Sequence, residues 1–239
     1  MGRLSSTYRE LRPPPRLDAS VACVWMRHTT APGTHLVVPD GCIDLVATPR
    51  GLLVAGPDTG PMPTAAHAGT TIFGLRFRPG AAAPVLGWPA HELRDRRTPL
   101  EELWGQAMRP VRSLADLIAI VDGREAPPPD PIVRAAVHAL ARGRRVSDLP
   151  AELHLSERQL RRRFHAAVGY GPKVLARVLR LQRMFALAPW AGDNLARLAA
   201  EAGYADHAHL ASETVALTGL TPRALLDDRF AQAAEAPAA

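Results

Sequence analysis

Arg158, Arg161 and Arg162 recur at the spacing that gathers side chains on the outside of a helix, while Leu160 and Phe164, four residues apart, mark its inward stripe. A guanidinium is planar and carries five donors in a fixed fork, which suits phosphate oxygens and guanine edges. Ser156 precedes this run with Gln159 three residues on, the pattern of a capping box that starts a helix. His165 lies further along the same outer surface. A second stretch has Asp206 in the capping place and Leu210 as its inward anchor, leaving His207, Ala208, Ala211 and Ser212 outside. The first set offers strong hydrogen-bond donors to a polyanion, and the second offers little beyond methyl contacts and single hydrogen bonds. Protonation of His207 or His209 would add charge to the second helix if either reaches a phosphate.

Other polar candidates lie in the first half: Asp40, Cys42, Asp44, Asp58, His67, Arg76 and Arg78. Arg76 and Arg78 alternate with Leu75 and Phe77, which places both on one side of a strand, facing either an anionic ligand or a carboxylate such as Asp44. Cys42 reads either as a redox or electrophile sensor or as a small apolar core residue. His35 and His67 with Cys42 lack metal-ligand spacing, so no metal is expected.

The elements that must hold these residues follow from punctuation. Val21–Met26, His35–Val38, Ile43–Thr48, Leu52–Ala55 and Thr70–Phe77 are short β-branched or apolar runs between Gly- and Pro-containing turns, which predicts an antiparallel sheet or small barrel. Helical patterning follows at Ala81–Leu86, Leu100–Trp104 and Ser113–Val121. The run Glu125-Ala-Pro-Pro-Pro-Asp-Pro131 interrupts any regular structure. Beyond it the pattern is helical, about seven helices, with one long helix from Pro172 to Leu187. The chain is therefore expected to be an α+β two-domain protein: a β-rich, sensor-like N-terminal domain with a few helices at 1–125, a linker at 126–131, an all-α domain at 132–230 and a flexible tail at 231–239.

The formal charge of +6 comes mainly from the second half. Between Arg142 and Arg183 the only acids are Asp148, Glu152 and Glu157, which suits a nucleic acid partner. Two cysteines are too few for a disulfide framework, and no stretch is apolar for the length of a membrane span, so a cytoplasmic protein with no membrane partner is expected.

An internal repeat links these observations. Leu149-Pro-Ala-Glu152 and Leu198-Ala-Ala-Glu201 share a short first helix. Leu160 then matches Leu210, Gly169 matches Gly219 and Pro172 matches Pro222. Each copy reads as helix, tight turn, helix, glycine stop and Pro-started helix, the arrangement of a helix-turn-helix.

At these residues the sequence resembles the AraC/XylS family over 132–229. The resemblance is carried by Leu155-Ser-Glu-Arg-Gln-Leu-Arg-Arg-Arg-Phe164, Arg180-Leu-Gln-Arg183, Ala202-Gly-Tyr-Ala-Asp-His-Ala-His-Leu210 and Gly219-Leu-Thr-Pro222. It implies a transcription regulator with two helix-turn-helix units joined by a long helix, reading adjacent major-groove segments through Ser156, Arg158, Arg161 and Arg162, then His207, Ala208, Ala211 and Ser212. The partners it implies are double-stranded promoter DNA and RNA polymerase, with a small-molecule effector and a homodimer left open. Three positions depart from the family: Ser212 stands for an arginine, Thr214 for an apolar residue and Val215 for a basic one. Pro150 replaces a small helix former, which fits if Ser147 caps a late-starting helix. Residues 1–125 resemble N-terminal domains found ahead of AraC-type domains, through Pro39-Asp-Gly-Cys-Ile-Asp-Leu45, Gly56-Pro-Asp-Thr-Gly60 and Gly74-Leu-Arg-Phe-Arg-Pro-Gly80 followed by Leu93-Arg-Asp95. That resemblance implies effector sensing or dimerisation, for which Asp40, Cys42, Asp44, Arg76 and Arg78 are the candidates.

No catalytic residues, enzyme activity or cofactor are expected: nucleophile-elbow, P-loop, dinucleotide and zincin patterns are all missing from the sequence. The alternative is a cysteine-based sensor or catalytic N-terminal domain fused to a DNA-binding module.

Overall fold

The computed structural model describes residues 5–105, 110–192 and 194–227; the tail expected at 231–239 lies outside them. The first half holds eight strands among the described residues: β1 (Ser5–Leu11), β2 (Val21–Ala31), β3 (Gly33–Val37), β4 (Ile43–Thr48), β5 (Gly51–Ala55), β6 (Met62–Ala66), β7 (Thr70–Phe77) and β8 (Arg97–Pro99). Six form a sheet in the order β1-β2-β7-β4-β5-β8, with every pairing antiparallel, and β3 and β6 form a separate two-stranded ribbon. Period-two alternation decides which side chains enter the core. Ile43, Leu45 and Ala47, Leu52 and Val54, and Leu75 and Phe77 face α1 (Ala82–Leu86), α2 (Leu100–Trp104) and α3 (Leu114–Asp122). Cys23, Trp25 and Val46 occupy the opposite face. Val21 and Val24 reach the core side together because the β2 register shifts between Val21 and Cys23.

Sequence patterning missed β1, β6 and β8. Edge strands and ribbons need no apolar run: β1 has exposed and half-buried residues, β6 contains Pro63, and β8 has three residues.

Residues 124–130 form neither helix nor strand. Asp130 at their end caps α4 (Pro131–Ala141) by accepting from Ile132 N at 2.9 Å, and takes Arg163 Nη1 on its other oxygen at 2.6 Å. Then come α5 (Leu149–Glu152), α6 (Glu157–Val168), α7 (Pro172–Ala191), α8 (Leu195–Ala202) and α9 (His207–Thr218), with helix again at 222–227. The connecting helix outruns its expected end at Leu187, passing Pro189 and leaving Trp190 80% exposed. It serves two cores at once. Leu175 packs with Val133, Leu160 and Phe164, whereas Val178, Leu181 and Met184 pack with Leu198, Leu210 and Leu217.

The two halves touch. Gln182 Nε2 on α7 donates to Pro39 O at 2.7 Å, α6 lies against the 3-10 turn Ala90–Glu92, and Val38 joins the second helical core.

Candidate nucleic-acid interface

The two repeats fold as superposable local sequences should. In the first, Gln159 N–H donates to Ser156 Oγ at 3.2 Å and Ser156 N–H donates back to Gln159 Oε1 at 2.9 Å, completing the capping box. Gly169 ends α6 in the left-handed region at φ 97°, where a side chain would be strained. In the second, Asp206 accepts from His209 N at 2.7 Å and Gly219 ends α9 at φ 71°. The first short helix differs in detail from expectation. Asp148, not Ser147, holds the N-cap place of α5, and Ser147 Oγ donates to the Asp148 carboxylate at 3.0 Å, while Pro150 sits in the first turn, where its missing N–H costs nothing.

Ser156, Arg158, Arg161 and Arg162 are all exposed, and none of the three arginines makes an ion pair among the described residues. Arg163, on the other flank, is engaged by Asp130. Guanidiniums that the protein leaves unpaired are free for an outside anion. His207, Ala208 and Ser212 are exposed and Ala211 half-buried on α9. His209 is turned inward. It meets Tyr204 edge-on at 5.3 Å, its Nδ1 accepts from Ala205 N at 3.2 Å, and its Nε2 lies 3.4 Å from Glu213 Oε1. Glu213, only 13% exposed, also receives Arg177 and Arg180 of α7, which anchors α9 to the connecting helix. The contribution expected from His209 therefore falls away, since the ring is committed to this cluster.

Sequence reasoning passed over a groove between the units. Its volume is about 110 Å³, with Arg144, Arg180 and Arg183 around a floor that includes Leu140 and Ala202. Arg183 is exposed and makes no ion pair among the described residues. The i, i+3 spacing of Arg180 and Arg183 was the available signal.

The N-terminal candidates divide. Asp44 and Arg76 are cross-strand partners on β4 and β7, joined by Arg76 Nε to Asp44 Oδ1 and Nη2 to Oδ2, both at 3.0 Å. Trp25 Nε1 donates to the same carboxylate at 3.0 Å, its indole lying over Gly74, where a Cβ would stand 1.9 Å from the ring. Asp40 approaches Arg76 Nε at 3.3 Å and accepts from Cys42 N at 2.9 Å. Burial pushes the Asp44 carboxyl up, opposed by Arg76. Arg78 does not join them. It follows the end of β7, where alternation no longer applies, and turns to Asp18, donating to its backbone oxygen at 2.8 Å and its carboxylate at 3.0 Å. Burial drives the Cys42 thiol well above its ordinary value, and Cys23 to about 11, the opposite of what a thiolate sensor needs. His35 faces Arg27 at 3.0 Å and His67 is exposed in a turn. Among the described residues no three His, Cys, Asp or Glu side chains stand together as a metal site. Asp58 is buried and paired with Arg97 through bonds of 2.8 and 2.7 Å, so it braces a loop.

Residues 149–228 match the model of a helix-turn-helix domain family. The C-terminal domain is an AraC-type helix-turn-helix domain. Ahead of this AraC-type domain, residues 9–99 match a domain of unknown function, DUF6597. No curated protein matches the chain. Among solved structures, ToxT from Vibrio cholerae aligns over 95% of this chain and 99% of its own, at 9% identity and a TM-score of 0.43. ToxT bound to (E)-4-(8-methylnaphthalen-1-yl)but-3-enoic acid aligns at 9% identity and the same TM-score, over 95% of this chain and 99% of its own. Both are loose likenesses. Among the described residues no helix is long and apolar enough to cross a membrane.

Proposed function

We propose that the chain is a cytoplasmic, sequence-specific transcription regulator whose two helix-turn-helix units enter adjacent major-groove segments of promoter DNA. The observation that carries this reading is the unpaired, exposed trio Arg158, Arg161 and Arg162 on a capped helix of the AraC-type domain. Arg183 supplies a phosphate contact between the units, and Ser156, His207, Ala208, Ala211 and Ser212 complete the contact surface. RNA polymerase, a homodimeric partner and a small effector at the Asp40–Asp44–Arg76 cluster belong to the same reading, whose domain limits are 1–125, 126–131 and 132–230. No step of it needs catalysis.

The first unit dominates. A forked arginine on guanine discriminates by about 1–3 kcal/mol, and the second helix presents no such group. Full-length protein is tested on double-stranded DNA that it selects from a random-sequence pool. With roughly 4–8 phosphates neutralised, log K should fall against log salt with a slope of about −4 to −7. Arg162→Ala should weaken binding more than His207→Ala, and Ser212→Arg should strengthen it. A folded protein that selects no DNA would remove the reading; a larger loss for His207→Ala would reverse the ranking of the helices.

A further inference from the structure

The signature segments of the N-terminal domain converge on one surface. In the first, Pro39 O receives Gln182 Nε2 of α7 at 2.7 Å, and Gly41 is so close to the helical domain that a Cβ there would meet Leu175 Cδ1 at 2.9 Å and Tyr170 Oη at 3.7 Å. In the second, Pro57 lies under the glycine stop of α6, 2.5 Å from where a Gly169 Cβ would be, and Pro61 lies 3.9 Å from the corresponding point at Gly219, the stop of α9. In the third, Gly80 faces Val133 at 2.9 Å and Val168 at 3.7 Å by the same measure. A bulkier residue at Gly41, Gly80 or Gly169 would push the domains apart. Tyr170 is 2% exposed here, with its hydroxyl lacking a hydrogen-bond partner among the described residues.

The loop holding Pro57 and Pro61 is itself fixed. Asp58 between them is 7% exposed and doubly bonded to Arg97, and Thr59 donates through both N and Oγ1 to Asp95 at 2.6 and 3.0 Å. This accounts for the Leu93-Arg-Asp95 motif, whose aspartate has no partner role in the sheet. The loop, held at Asp58 and Thr59, therefore reaches from the C-terminal end of α6 to that of α9.

We infer that these signature loops, 39–42, 56–61 and 78–80, are a docking surface built for the two helix-turn-helix units, and that gripping both at once fixes the distance and angle between their recognition helices. The inference rests on the DNA-binding reading for its consequence, the spacing of the two contacted DNA segments. Asp40 is held by Arg76 from the sheet face, and one residue away Pro39 and Gly41 contact α7 and Tyr170.

Two measurements on full-length protein test this. The first uses the selected DNA and versions with one base pair inserted between the two protected segments, a displacement of roughly 3.4 Å and a tenth of a turn. Wild type should lose affinity sharply on insertion. In Gln182→Glu, which sets a carboxylate against Pro39 O, the insertion penalty should shrink by about 3–10-fold, the worth of one hydrogen bond. An unchanged penalty in that variant would overturn the spacing role. The second measurement needs no DNA: the chain is cut by protease within 126–130 and passed over a sizing column. The wild-type halves should co-elute and those of Gln182→Glu should separate at lower salt or denaturant. Wild-type halves that part at once would overturn the docking surface, whereas co-eluting halves with no DNA selected would remove the DNA-binding reading alone.

Discussion

Thr214 shows how a single side chain can compromise a helix-turn-helix unit without breaking it. The residue is fully buried on α9, and its Oγ1 has no partner among the described residues. Burying an unsatisfied hydroxyl costs about 1–3 kcal/mol. Thr214→Val keeps the shape and removes that hydroxyl, so it should raise the midpoint of thermal unfolding, corresponding to about 1 kcal/mol; an unchanged or lower midpoint would mean the hydroxyl is satisfied in solution. Asp58 is the converse case, a buried charge with a complete partner. Asp58→Ala leaves Arg97, itself 25% exposed, without its carboxylate and should cost about 1.5–3 kcal/mol in urea unfolding. A loss under 1 kcal/mol would show that the loop is not braced by this pair.

Where α6 meets the turn at Ala90–Glu92, the elements bring positive groups together. Partial burial, then Arg161, Arg94 and His91, hold the His165 ring below the ordinary histidine pKa. The folded state thus favours the neutral ring. Its contribution to stability is present above the unfolded value of about 6.5 and is lost as pH falls through it, because the unfolded chain then binds more protons. Thermal midpoints should drop between pH 7.5 and 5.5, and His165→Gln should flatten that drop; an equally steep drop in the variant would place the sensitive group elsewhere. Element boundaries were legible where side chains alone decide them. The box Ser156–Gln159 and the stops Gly169 and Gly219 are local chemistry, so α6 and α9 begin and end where their residues dictate. The direction of Arg78 was not legible, because one residue beyond β7 the backbone turns and the side chain follows Asp18.

At the scale of the whole molecule, the two domains meet where Pro39, Gly41, Pro57 and Gly80 lie against Gln182, Leu175, Gly169 and Val133. Their covalent link at 124–130 has no regular structure, and its Pro127 and Pro128 are exposed. Limited proteolysis should therefore cut within 126–130 and leave two resistant fragments; cuts mainly between 146 and 183, with 126–130 intact, would argue against that boundary. The sequence by itself determined the strand-then-helix order, the paired helix-turn-helix units and the arginines exposed on α6. Each depends on residues within a turn or two of one another, whose spacing, capping and stop signals are written consecutively. Only the tertiary structure decided that Arg76 belongs with Asp44 and Asp40, that His209 is committed to Glu213, and that Pro39, Pro57 and Pro61 face the helical domain. These are meetings between segments far apart in the chain, set by sheet register and domain docking. A residue type carries no record of which distant surface it will touch, so glycines and prolines that read as turns proved to be points of contact.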